Sequence, residues 1–176
     1  MPTVDSTVKG ASANSYVTVA EATTYLDNHK RSAELALWTA ASDDDKARAV
    51  IAATTHVDSY YEFVGYRTTT TQALKWPRAG VMTRDGDAYL DQDTIPQLLK
   101  DAVCEQAFVE VQSDRAADSS TCGIHRVKAD VLEVEFDGIE SQEQKVVADI
   151  VAAMLDAWIE GYTGSSAFET VDLARV

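Results

Sequence analysis

Cysteine is scarce in this chain. Cys104 and Cys122 are the only two, they form no close pair, and no spacing supports a disulfide between them, which suits a reducing cytoplasm. His29, His56 and His125 stand at no ligand spacing from either cysteine, so no zinc site is expected. No run of about 18 apolar residues occurs, so no segment is expected to cross a membrane. The N-terminus lacks the apolar stretch a signal peptide needs. A nucleophile elbow, a Walker loop, a dinucleotide fingerprint and a His-Glu-x-x-His pair are all missing. The expectation is a chain without enzymatic activity, cofactor or metal.

Cations are the next shortage. Fifteen Lys and Arg face 29 Asp and Glu, a formal net charge of −14. A protein that grips nucleic acid by displacing counterions needs clustered Lys and Arg, and free binding to DNA is disfavoured by this balance. An acidic surface suits a wall that DNA slides past without sticking. The hydrophobic fraction, 45%, is that of an ordinary globular chain, and 176 residues predict one domain.

One stretch breaks the pattern. From Phe63 to Arg84 there is no acidic residue, while Arg67, Lys75, Arg78 and Arg84 are positive. Four consecutive threonines, Thr68–Thr71, are poor helix formers. Pro77 removes a donor and biases Trp76 towards extended backbone, and Gly80 permits a turn. A connection this long inside a compact domain usually carries a function. Trp76 reads as a buried plug, and Arg78 as the partner of an acidic residue on this subunit or the next.

Helical patterns flank the loop. Thr18-Val19-Ala20-Glu21 is a capping box opening a helix to about Asn28, with Val19, Ala22, Tyr25 and Leu26 inward. Cationic His29-Lys30-Arg31 suits its C-terminal end. Ser32 is expected to cap a short helix, Ala33–Ala40, anchored by Leu35 and Trp38. Asp43, Asp44 and Asp45 read as first-turn carboxylates of a long helix to about Val64 rather than as a metal cluster. Its inner face runs through Ala47, Val50, Ile51, Thr54, Val57, Tyr61 and Val64, and Gly65 is expected to end it. His56, just off that face, reads as a structural residue. Tyr60, Tyr61 and Phe63 read as core and neighbour contacts, because base stacking needs a basic groove beside the rings.

After the loop, Arg84-Asp85-Gly86-Asp87 is a turn without the ligand spacing of a calcium loop. Pro96 opens a helix to about Arg115, with a stripe through Leu99, Val103, Ala107 and Val111, widened by Leu98, Cys104 and Phe108. Residues 124–136 alternate with period two and predict a hairpin turning near Ala129-Asp130. Ser141 is expected to cap a last helix to about Glu160, with Val146, Val147, Ile150, Val151, Met154, Leu155 and Trp158 along one side. The fold class is therefore mainly α: a small helical bundle with a long central loop and a short β-hairpin before the last helix. Residues 1–15 read as an extended arm, 16–161 as the helical domain, and 162–176 as a C-terminal tail.

Ala13-Asn14-Ser15-Tyr16-Val17 near the start, Trp76-Pro77-Arg78-Ala79-Gly80 in the loop, and Ile95-Pro96 opening a helix resemble the phage proteins often labelled "DnaT-like single-stranded-DNA-binding". The resemblance runs from about Ala13 to about Gly161. Those proteins are similar in helix order to tailed-phage head-tail connector (adaptor, head completion) proteins. That kinship implies a virion protein at the neck, made in the host cytoplasm. It would form a ring, expected to be a dodecamer, between the portal protein and the next component, a stopper or tail terminator. Genomic DNA would pass through the lumen. By the same resemblance, the tail residues Phe168, Val171, Leu173 and Val176 would grip the portal. Arg67, Lys75, Trp76, Pro77 and Arg78 would contact a neighbouring subunit or tail component. The alternative is a single-stranded-DNA-binding protein using Tyr66, Arg67, Lys75, Trp76 and Arg78. A third reading is a small regulatory interaction domain.

Overall fold

The computed structural model describes residues 2–112, 126–129, 132–135 and 146–160. Within them the chain is mainly helical, as the periodicities require. Five α-helices occur: α1 (Val19–His29), α2 (Ala36–Ala40), α3 (Asp43–Tyr60), α4 (Gln97–Gln112) and α5 (Asp149–Leu155), the last running into a 3₁₀ turn at Asp156–Trp158. Two antiparallel pairs accompany them: β1 (Tyr66–Arg67) with β2 (Arg78–Ala79), and the hairpin of β3 (Arg126–Ala129) with β4 (Leu132–Glu135). The hairpin aligns Arg126 with Glu135 and Lys128 with Glu133.

Helix α4 is the axis of the bundle. It packs against α1, α2, α3 and α5. Leu99 and every residue from Ala102 to Phe108 are buried, because a helix surrounded by others has no solvent face to leave polar. That burial extends to Glu105 and Gln106, beyond the apolar stripe of the sequence. Glu105 is paired inside the protein: Lys30 Nζ lies 2.6 Å from its carboxylate and the Tyr25 hydroxyl donates at 3.1 Å. Gln106 donates to the Val146 carbonyl at 2.8 Å and accepts from the Ala148 amide at 2.9 Å. Cys104 is a small buried hydrophobe, its thiol pushed up to about 12 by burial; Cys122 lies outside the described residues.

Several boundaries differ from the sequence reading. The capping box of α1 is complete, with Thr18 and Glu21 satisfying each other's backbone donors. Helix α2 starts three residues late, at Ala36, because the Leu35 and Glu34 amides turn back onto the Arg31 carbonyl and Ser32 caps nothing. Helix α3 spans about 27 Å and stops at Tyr60 instead of Val64. Residues 62–64 are drawn into extended pairing with the end of the last helical segment: Val64 N donates to Trp158 O at 2.9 Å, and Glu160 N donates to Glu62 O at 2.7 Å. Gly65 therefore does not cap α3. Its φ of +76° brings its backbone so close to β2 that a Cβ there would lie 2.4 Å from the Ala79 carbonyl oxygen. Helix α5 begins at Asp149 after Ala148, whose amide Gln106 holds. Ser141, its expected cap, lies outside the described residues, as do Arg115 and the turn after Ala129.

Residues 2–15 form no helix or strand but are closed into a loop on the body. The Asn14 and Ser15 amides donate to the Asp5 carbonyl at 2.9 and 3.2 Å, and the Asn14 side chain accepts from the Asp5 amide and donates to the Thr3 carbonyl. Ala73 N donates to Gly10 O at 3.0 Å, and Lys9 pairs with Asp93. Among the described residues no helix is long and apolar enough to cross a membrane.

Candidate functional site

The two sequence motifs meet in space. Tyr16, from the Asn-Ser-Tyr-Val opening, is 2% exposed. Its hydroxyl donates to Asp58 Oδ1 at 2.6 Å and accepts from the Trp76 backbone amide at 3.1 Å. Asp58, on the last turns of α3, uses its other oxygen to accept from the Lys75 amide at 2.9 Å. One carboxylate and one phenol thus hold the chain entering Trp76-Pro77. The consequences for ionisation follow from burial. Desolvation, then the nearby Asp58 charge, drives the Tyr16 hydroxyl well above its ordinary value. Desolvation also raises Asp58 above the usual carboxylate value, against the hydrogen bonds from Tyr16 and Lys75 that favour its charge.

Trp76 is a plug, as its size suggests. It is 1% exposed and packs edge-on to Phe63, with ring centroids 5.6 Å apart, and against Trp158 at 5.4 Å. Trp158 anchors its own indole to the Met82 carbonyl at 3.0 Å. Pro77 is buried behind a cis Trp76–Pro77 bond. Its carbonyl accepts from the Thr68 hydroxyl at 2.8 Å and from the buried Gln72 amide group at 3.1 Å. Gln72 and the threonine run therefore brace the motif from within.

The expected acidic partner of Arg78 is replaced by backbone. Its guanidinium donates to the carbonyls of Phe63 and Val64 at 2.8 Å and of Gly65 at 2.6 Å. A planar fork suits this task, since its several N–H groups can serve neighbouring carbonyls at once. Lys75 reaches the Tyr61 carbonyl and the Glu62 carboxylate, both at 2.8 Å. Arg84 lies 3.2 Å from Asp156. Among the described residues Arg67 makes no hydrogen bond or ion pair, and it stands exposed next to Tyr66, which is 68% exposed. The Tyr66 ring lies over Gly80, where a Cβ would sit 3.6 Å from its edge.

Of the loop residues read from the sequence, Lys75, Trp76, Pro77 and Arg78 come together as one internal clamp; Arg67 stands outside it. Phe168, Val171, Leu173 and Val176 lie outside the described residues. The sequence reading assigned no role to Tyr16 and passed over Asp58. Tyr16 could have been found from its place in a motif; Asp58, one acid among 29 Asp and Glu, carries no local signal. His56 pairs with Glu110 at 2.9 Å, a structural contact between α3 and α4.

A family model described as "Putative DnaT-like ssDNA binding protein" matches residues 3–175. The chain belongs to this family. The match takes in both motifs and the clamp they build. No curated protein and no solved structure matches the chain.

Proposed function

We propose that this member of the family is a structural subunit of a tailed-phage neck. It would assemble as a ring, expected to be a dodecamer, between the portal protein and a stopper or tail terminator. Genomic DNA would pass through without sequence-specific binding, and the protein would reside at the head-tail junction of the virion. The carrying observation is where the loop's cations go. Lys75 and Arg78 are bound to carbonyls and to Glu62 within the molecule, and Trp76 is sealed in the core. With a net charge of −14, a chain that spends these cations on itself offers few contacts to phosphates. The two motifs are those of this family, whose helix order is similar to that of connector proteins, and this supports the same reading. The protein mixed with the portal protein of the same phage is expected to form rings on the portal, visible by electron microscopy. Deleting Ser165–Val176 is expected to leave the helical circular dichroism intact and to abolish attachment; unimpaired attachment would overturn the role of Phe168, Val171, Leu173 and Val176.

A second reading is single-stranded-DNA binding. The family description names this activity and speaks for it more directly than for a neck role. Of the residues named for it, Tyr66 and Arg67 remain at the surface, an exposed ring beside a cation with no ion pair among the described residues, the combination that stacks a base and holds a phosphate. Fluorescence anisotropy with a labelled oligonucleotide at low salt separates the two readings. Tight binding that weakens steeply with salt and is lost in Tyr66→Ala and Arg67→Ala would favour this one; absent binding together with portal rings would favour the first.

A further inference from the structure

Among the described residues, one buried side-chain nitrogen or oxygen has no hydrogen-bond partner: the indole Nε1 of Trp76. Buried donors without a protein partner are uncommon and are where ordered waters are held. Trp76 also lines a cavity of about 10 Å³, room for about one water molecule. The N-terminal loop, residues 6–10 with Ala13, also lines it.

The polar groups around this cavity narrow what its occupant must do. The Gln72 amide nitrogen already serves the Leu74 and Pro77 carbonyls, and the Ser15 hydroxyl already donates to Val17 O at 2.7 Å while accepting from the Val17 amide. What the lining loop residues still offer are the hydroxyls of Ser6 and Thr7 and free lone pairs of the loop's carbonyls. An occupant must accept from the indole N–H, which a cation cannot do. The loop's carbonyls offer only lone pairs, so an occupant that also donates fits them and an anion does not, and the small volume suits a single water.

We propose that the cavity is a binding site for a single ordered water, which accepts from Trp76 Nε1–H and donates to oxygens of residues 6–10. The water makes the N-terminal loop the polar cover of the Trp76 plug. The N-terminal loop is then joined to the central connection at three points: Gly10 O to Ala73 N, Lys9 to Asp93, and the water at Trp76. This site does not depend on which functional reading holds.

A high-resolution crystal structure of the full chain is the direct test. A water peak is expected within about 3 Å of Trp76 Nε1 and of at least one oxygen from residues 6–10. Nuclear magnetic resonance of the ¹⁵N-labelled chain gives a second readout, a direct cross-peak from the Trp76 indole proton to water. Asp93→Ala, which frees Lys9 at the surface, is expected to speed exchange of that indole proton severalfold while the Trp158 indole, bonded to Met82 O, is unchanged. Trp76→Phe is expected to lose the water. An empty density at Nε1, or a direct bond from the indole to the Ser6 or Thr7 hydroxyl, would overturn the proposal. So would a water that persists unchanged in Trp76→Phe.

Discussion

Replacing Tyr16 by Phe removes one oxygen atom and tests whether the two motifs are joined as described. The ring keeps its place, so packing is nearly conserved and no side-chain-sized cavity opens. Two hydrogen bonds are lost, one donated to Asp58 at 2.6 Å and one accepted from the Trp76 amide at 3.1 Å. A bond to a charged group is worth about 1.5–3 kcal/mol, and a buried N–H left without an acceptor costs about 1–3 kcal/mol. Both run through the same hydroxyl, so they do not simply add, and the expected loss is about 2–4 kcal/mol. With a urea slope of about 2 kcal/mol/M, the unfolding midpoint is expected to fall by about 1–2 M. Tyr60→Phe is the control. Tyr60 is 59% exposed, and its variant is expected to stay within about 0.5 kcal/mol of the parent. A Tyr16→Phe midpoint no lower than that of the control, at unchanged slope, would refute the junction between the motifs.

Three further outcomes follow from the same geometry. Arg78→Lys keeps the charge but loses the planar fork that serves the Phe63, Val64 and Gly65 carbonyls; a loss of about 1.5–3 kcal/mol is expected in thermal or urea unfolding, and a silent substitution would count against the clamp. Gly65→Ala places a methyl against the Ala79 carbonyl at a φ of +76°; it is expected to cost at least about 2 kcal/mol, whereas Gly86→Ala, with open space around it, is expected to cost about 1 kcal/mol. Asp58→Asn tests the buried carboxylate through pH. Because burial raises the folded-state value of Asp58 above 3.8, between 3.8 and that folded value the native protein holds a proton that the unfolded chain releases. The stability Asp58 draws from this is full below 3.8 and lost as pH rises through the folded value. The advantage of wild type over Asp58→Asn is therefore expected to be largest in acid and to shrink towards neutrality in urea titrations at stepped pH; an advantage that grows with pH would contradict the burial.

The clamp changes how the charge of the central loop is to be understood. Its absence of acidic residues from Phe63 to Arg84 suggests a surface aimed at an anion. Inside the fold, two of those cations instead neutralise backbone. Tyr61 to Gly65 lies beyond the end of α3; Lys75 donates to the Tyr61 carbonyl and Arg78 to those of Phe63, Val64 and Gly65, while the Glu62 carbonyl accepts from the Glu160 amide. Carbonyl recognition has no signature in a sequence, because every residue offers one.

Local chemistry sufficed wherever the decisive groups are neighbours along the chain. The Thr18–Glu21 box placed the start of α1, the three aspartates Asp43–Asp45 placed that of α3, and Pro96 opened α4, since capping, the helix dipole and φ restriction act within one turn. Alternation over residues 126–135 gave the hairpin, and the size of Trp76 gave its burial. Tertiary contacts decided the rest. Helix α3 ends at Tyr60 because residues 158–160, almost a hundred positions away, pair with residues 62–64. Helix α5 starts late because Gln106 holds the backbone at Ala148. Glu105 and Gln106 are buried because α4 is enclosed on all sides, which a polar residue's own neighbours cannot announce. The junction of Tyr16, Asp58 and Trp76 exists only once three distant segments are brought together, since a hydrogen bond depends on distance in space and a sequence records only distance along the chain.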